Sequence, residues 1–206
     1  MLPMDAMLTS RQVVVSDRSD REITAIHEAG HALVAYVVGV IVHKASIVTR
    51  GDTAGRVHHD EPTTSTWHLP GSSARIRGRP IKHRLMITAA GEQAELAFDV
   101  DGESARIHAT FDRREEERLL MQLKTEDFGE AFDREGRLRR DAWMKVGYWR
   151  DRLALSSRSD SSNAVRRHRA AIEALTAELM EHLEIRTEHI VSILRRNGVD
   201  DDRIVD

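Results

Sequence analysis

From Ser19 to Gly39 the apolar positions Ile23, Ile26, Gly30, Leu33, Val34, Val37 and Val38 recur at the three- and four-residue spacing of one helix face. Ser19, with Glu22 three residues on, has the pattern of a capping box, and Gly39 can close the far end. The period then changes. Residues 43–50 form a β-type run, residues 51–55 supply turn chemistry, and residues 56–59 read as a second short strand. Together they predict a small hairpin beside the first helix. Residues 61–79, rich in Pro, Thr, Ser and Gly, predict a loop.

From about residue 80 the helical period returns. Ile81, Leu85, Ile87, Ala89, Ala90, Ala94, Leu96 and Phe98 predict a mostly apolar helix central to the core, broken by the Asp-Val-Asp-Gly run at 99–102. A charged helix follows from near Asp112 through Leu119, Leu120 and Leu123, and another over 137–155 with Trp143, Val146 and Leu153. Residues 156–163 read as a polar break. Ile172, Leu175, Leu179 and Leu183 then mark an amphipathic helix, and Thr187 caps a last short one at 190–194, ended by Asn197-Gly198. The expected organisation is a flexible tail over 1–18, one domain over 19–198 and an acidic tail over 199–206. Charge runs such as 113–118 read as solvated helix faces.

Composition narrows the class. The chain has 206 residues, enough for a substantial core, with 32% charged and 4% aromatic residues, as suits a mainly α-helical domain. Its formal net charge of -3 does not indicate a nucleic-acid partner. The absence of cysteine rules out disulfides and thiolate metal sites and fits a reducing compartment. No apolar run approaches the roughly 20 residues that span a bilayer, and the N-terminus lacks a secretory pattern, so a cytoplasmic location is expected. No G-x-x-x-x-G-K-[ST] occurs within the 206 residues.

The first helix carries the chemistry. Residues 27–31 read His27-Glu28-Ala29-Gly30-His31, which is H-E-x-x-H. Positions i and i+4 share a helix face, so both imidazoles can meet one metal ion, and Glu28 stands at the edge of that face, near the metal without being a ligand. Zinc lowers the pKa of a water it holds to about 7, and a neighbouring carboxylate can take the proton. The five residues therefore point to one Zn(2+) per chain and to hydrolysis, most often of a peptide bond. The competing reading is a pair of packed core histidines. His58 and His59 read as surface residues.

Catalytic zinc usually takes three protein ligands. Asp99, Asp101, Glu103, His108, Asp112, Glu115 and Glu116 are all candidates for the third, and spacing does not choose among them. The extended H-E-x-x-H-x-x-G-x-x-H pattern is absent, which disfavours a metzincin.

The string HEAGHALV at 27–34, followed by VHKASIVTRG at 42–51, resembles the peptidase domain of the FtsH family of AAA zinc proteases. LMITAAGEQAELAF at 85–98 and the helix at 167–185 continue the likeness, the last of these less specifically, so it runs from about residue 20 to 196. The resemblance implies a zincin-type helical domain with its β-hairpin beside the H-E-x-x-H helix, and a zinc metalloendopeptidase with Glu28 as general base. It implies Asp112 as third ligand beside His27 and His31, although Phe111 stands where the family has Asn and the family's lead-in is missing. An Asp at a helix start is equally suited to capping. Glu95 matches the second Glu of the family's AAEE run and becomes either an acceptor that orients a ligand histidine or one charged position on a helix.

The resemblance also sets Ala45, Ser46, Ile47, Val48, Thr49 and Arg50 beside the metal, as a strand edge for an extended peptide or as a mere brace. The expected substrate is unfolded polypeptide or peptide, cut without an ATPase in this chain or with a separate ATPase or adaptor as partner. A monomer or small oligomer is expected, with no membrane segment. The alternative function is a catalytically silent module that docks on a protein partner, against which the intact His27, Glu28 and His31 argue.

Overall fold

A computed structural model describes residues 18–49, 54–62, 66–68, 75–77, 81–128 and 131–199. The first helix, α1 (Asp20–Val37), starts at the expected cap: the Ser19 hydroxyl accepts the Glu22 backbone N–H at 3.2 Å. The box does not close, because the Glu22 side chain pairs with Arg18. Gly39 ends the helix with φ +77°, a conformation that costs glycine little.

The chain then enters a three-stranded antiparallel sheet of β1 (Val42–Ser46), β2 (Arg56–His59) and a late strand, β5 (Glu184–Arg186), in the order β2-β1-β5. Ala45 faces Val57 on one side and Ile185 on the other. The stretch read as a loop contains a separate small hairpin of β3 (Thr66–His68) and β4 (Arg75–Arg77), too short for any period to register.

Among the described residues six further α-helices follow: α2 (Ile81–Ala97), α3 (Gly102–His108), α4 (Thr110–Met121), α5 (Ala142–Arg167), α6 (Arg169–His182) and α7 (Thr187–Arg196). Among the described residues the architecture is mainly helical, as expected, with a three-stranded sheet in place of the expected hairpin, and with the separate β3–β4 pair. Two differences stand out. The short α3 occupies most of the stretch between the break read at 99–102 and the helix expected from near Asp112. And α5 runs straight through the polar stretch at 156–163, because Ser157 and Ser161 are small enough to pack inward, with the Ser161 hydroxyl donating to the Met86 carbonyl.

Two cores meet on α2. On one side lie α1, α6, α7 and the sheet, joined by Leu33, Val34, Ala90, Ile172, Leu175, Leu179 and Ile190. On the other, Leu85 packs with Leu119, Phe128, Trp149 and Leu153, and the Phe128 and Trp149 rings stand 5.3 Å apart. Each such buried side chain stabilises the fold by about 1.5–3 kcal/mol. Val199, in the segment read as a tail, is also buried. Of the tail read over residues 1–18, residues 1–17 lie outside the described residues, as do residues 200–206. Among the described residues no helix is long and apolar enough to cross a membrane.

Helices α1 and α2 cross at van der Waals limits. A Cβ on Gly30 would stand 2.6 Å from the Ala94 Cβ and 2.7 Å from the Ala90 carbonyl oxygen. The middle glycine of the H-E-x-x-H motif is therefore what lets α2 approach, and that approach builds the site.

Candidate metal centre

His27 and His31 lie on the α1 face that looks at α2, and α2 holds the outer edge of both rings. His31 Nδ1 is 2.7 Å from the Ile87 backbone carbonyl, which can only accept, so this nitrogen carries the hydrogen and donates it. His27 Nδ1 donates to Oε1 of Glu95 at 2.6 Å, and Glu95 is fully buried. The ring of His27 fits only because residue 91 is glycine: a Cβ there would stand 2.5 Å from the ring's Cε1.

With both Nδ1 hydrogens committed, each neutral ring has only a lone pair left at Nε2. Those two nitrogens meet at 3.0 Å. The third arrival is Oδ2 of Asp112, 2.9 Å from His27 Nε2 and 3.2 Å from His31 Nε2. Asp112 sits in the first turn of α4, whose cap position is Ala109, so its side chain is spent on the histidines and not on capping. Two ion pairs set the rotation of α4: Arg113 to Glu92 of α2, one residue beyond Asp112, and Glu116 to Arg158 of α5 at 2.6 Å, one turn further on.

Three acceptor atoms this close repel one another unless positive charge lies between them. In the protein alone, protons supply it. Burial opposes a charge on His27, yet the hydrogen-bonded carboxylates of Asp112 and Glu95 prevail and raise its pKa to about 10. His31 is likewise raised: burial opposes the charge, and Asp112 outweighs it. Burial also works against the Asp112 carboxylate, but the two imidazoles hold it well below the usual range. A metal ion would supply the same charge. Ligand bonds of about 2.0–2.2 Å in a tetrahedron put ligand atoms roughly 3.3–3.6 Å apart, a few tenths of an ångström beyond the 2.9–3.2 Å observed between Asp112 Oδ2 and the two nitrogens. Among the described residues His27, His31 and Asp112 are the one group of His, Asp or Glu that could hold a metal.

Glu28 stands beside this group, buried, with its carboxyl pushed up by burial while His31 and His27 pull the other way. It packs against Gly55, where a Cβ would come within 2.6 Å of Oε1. All four side chains open onto a cavity of about 560 Å³ whose far wall is β2, and whose rim carries the exposed apolar residues Ile107 and Phe111 of α3 and α4.

Residues 14–100 match the model of Peptidase family M41. The matched stretch, under half of the chain, is similar to part of an FtsH-type peptidase domain. Its family is one of zinc metallopeptidases, and it takes in α1, the hairpin strands and α2 with Glu95. Asp112 lies beyond the match, so its case rests on the geometry alone.

The expected peptide-binding strand needs correction. Ala45 and Ser46 sit in the central strand with partners on both sides, and the Ile47 N–H donates to the Leu183 carbonyl, so this backbone offers no open edge. Val48 and Thr49 follow the strand, and Arg50 lies outside the described residues. Among the described residues the edge strands of the sheet are β2 and β5, and it is β2 that lines the cavity, with Arg56, Val57 and His59. Three contributors were not singled out from sequence: Gly55, Gly91 and, as a partner of Glu95, His108, whose Nδ1 lies 2.8 Å from Oε2. The glycines had no signal beyond their identity. His108 was visible only as one of seven ligand candidates.

Proposed function

We propose that this chain is a zinc metalloendopeptidase in which His27, His31 and Asp112 hold one Zn(2+) and Glu28 is the general base. The observation that carries this is the meeting of three acceptor atoms at about 3 Å, with both rings locked from behind. A bound zinc ion would supply a Lewis acid for the scissile carbonyl and a lowered pKa for the attacking water. The chain's own residues do the rest. Glu95 and the Ile87 carbonyl keep both Nε2 atoms turned inward. Glu28 takes the proton of the water at its carboxylate and passes it to the leaving amine; its burial makes it a better base than an exposed carboxylate.

The substrate is an extended segment of polypeptide, a strand that would lie in the cavity along β2, whose Arg56, Val57 and His59 line it. A folded domain presents no such strand, so unfolded chains and peptides are the substrates. With no P-loop within the 206 residues, added ATP leaves the chain's activity unchanged.

The test is elemental analysis and turnover on an unstructured protein such as casein. The parent should hold about one zinc per chain, while His27→Ala and Asp112→Asn should lose it and Glu103→Gln and Glu115→Gln should not. Full zinc in Asp112→Asn would reject that ligand. Zinc without turnover in the parent would favour a silent binding module.

A further inference from the structure

We propose that His108 is a positioning residue of the metal centre: acting through Glu95, it fixes the ring of His27. The inference rests on the zinc reading above and adds to it a residue which that reading does not use.

The two ligand histidines are held in unequal ways. His31 is backed by the Ile87 carbonyl, part of the α2 backbone, which cannot swing. His27 is backed by a side chain, the Glu95 carboxylate, whose terminal torsion is soft. A soft holder transmits no orientation unless it is held itself. Glu95 has no exposed surface, and its two oxygens are claimed by two imidazoles from different helices: Oε1 by His27 Nδ1 at 2.6 Å, Oε2 by His108 Nδ1 at 2.8 Å. Partners on both oxygens fix the plane of the carboxylate.

Helix α3 is built to deliver this contact. It has only seven residues, yet Asp101 caps it, with Oδ1 accepting from the Glu103 and Ser104 N–H groups at 3.1 and 3.0 Å. Ala105 packs with Val100 and with Ile23, one turn ahead of His27 on α1. The helix that carries His108 is thus fastened to the helix that carries the ligand. His108 is not in the converging group itself, so its effect on the metal runs through Glu95.

The test compares zinc affinity, by chelator competition, with the melting temperature of the metal-free protein. Partners that orient a metal ligand typically set affinity by 10–100-fold. His108→Ala should weaken zinc roughly tenfold, and His108→Asn, whose amide N–H can stand in for Nδ1–H, should recover most of that loss. In a Glu95→Ala background the further change His108→Ala should cost nothing more. A role confined to folding would lower the metal-free melting temperature and leave affinity unchanged, and that result in His108→Ala would overturn the proposal. Additive losses in the double variant would overturn it as well. If His108→Ala fails to fold, the Asn variant decides through its affinity in the parent and Glu95→Ala backgrounds. A parent that takes up zinc while His108→Ala binds it equally well sinks this inference alone; a parent that takes up none sinks the zinc reading beneath it.

Discussion

Helices α1 and α5 put the same chain under opposite constraints. Eleven of the 18 residues of α1 are buried, with walls on several sides from α2, α6 and the sheet. Only six of the 26 residues of α5 are, and it leaves Trp143, Met144, Tyr148 and Leu155 more than half exposed. On the exposed face of α5 a polar residue costs nothing, and an apolar one is tolerated. On α1 a polar group inside the packing is costly without partners; the two motif histidines have them, whereas the Tyr36 hydroxyl has none among the described residues. His27, Glu28 and His31 therefore carry information that the charges of α5 do not. Their partners on α2 and α4 were recruited to satisfy them, and the satisfaction is incomplete in just the way a cation would complete.

The same contrast explains what could be read from the sequence. The start of α1 at Ser19, its end at Gly39 and the span of α2 were legible because caps and period are local. The His27–His31 pair was legible because a helix repeats every 3.6 residues. The third partner was not legible from spacing, only from the family resemblance, since choosing Asp112 over six other candidates depends on how α4 is rotated by Arg113–Glu92 and Arg158–Glu116. The break expected at 156–163 failed because serine was taken for its polarity when its small size decided the packing. The strand expected to offer an edge, β1, is central because β5, nearly 140 residues away in sequence, covers its other side.

The largest expected effect is on α1. Glu28→Gln keeps the shape and removes the base, so turnover should fall by about 10²–10⁴-fold with zinc content and melting temperature intact. Trp143→Ser on α5 should leave turnover unchanged. Equal losses in the two variants would break the comparison, since catalysis would then depend on a face remote from the cavity.

Next in size is pH. In the metal-free protein His27 titrates near 10, so zinc must displace a proton at any lower pH. Affinity should drop about tenfold per pH unit below 10 for each proton released. Stability should move the opposite way. The folded pKa of about 10 lies above the ordinary 6.5, so protonated His27 stabilises the metal-free fold fully below pH 6.5, and the contribution is lost as pH rises to 10. Melting curves of the metal-free protein that were flat over that window would show that protons do not occupy the site. No such dependence is expected from changes along the exposed face of α5.

Glycines sharpen the comparison at smaller scale. Gly91→Ala would press a methyl group into the His27 ring. The ring or α2 must shift, which should cost about 1–3 kcal/mol and loosen zinc binding. Retained affinity, measured by chelator competition, would mean that His27 has room that its packing does not suggest.

The smallest effect is its counterpart on α5. Gly147 lies within that helix on its exposed side, and a Cβ there would meet nothing within 4 Å. Glycine costs a helix interior about 0.5–1 kcal/mol relative to alanine, because the unfolded chain gives up more freedom. Gly147→Ala should therefore stabilise the protein and raise its melting temperature by about 2–4 °C, with zinc affinity unaltered. The gain needs only that this face stay open. A drop in melting temperature would mean that something packs closely over Gly147 in solution, and the neighbouring Trp143, Met144 and Tyr148 would then be a covered surface and not a tolerated one. Light scattering on the parent and the variant would separate a self-contact, which the added methyl should weaken, from an effect within one chain.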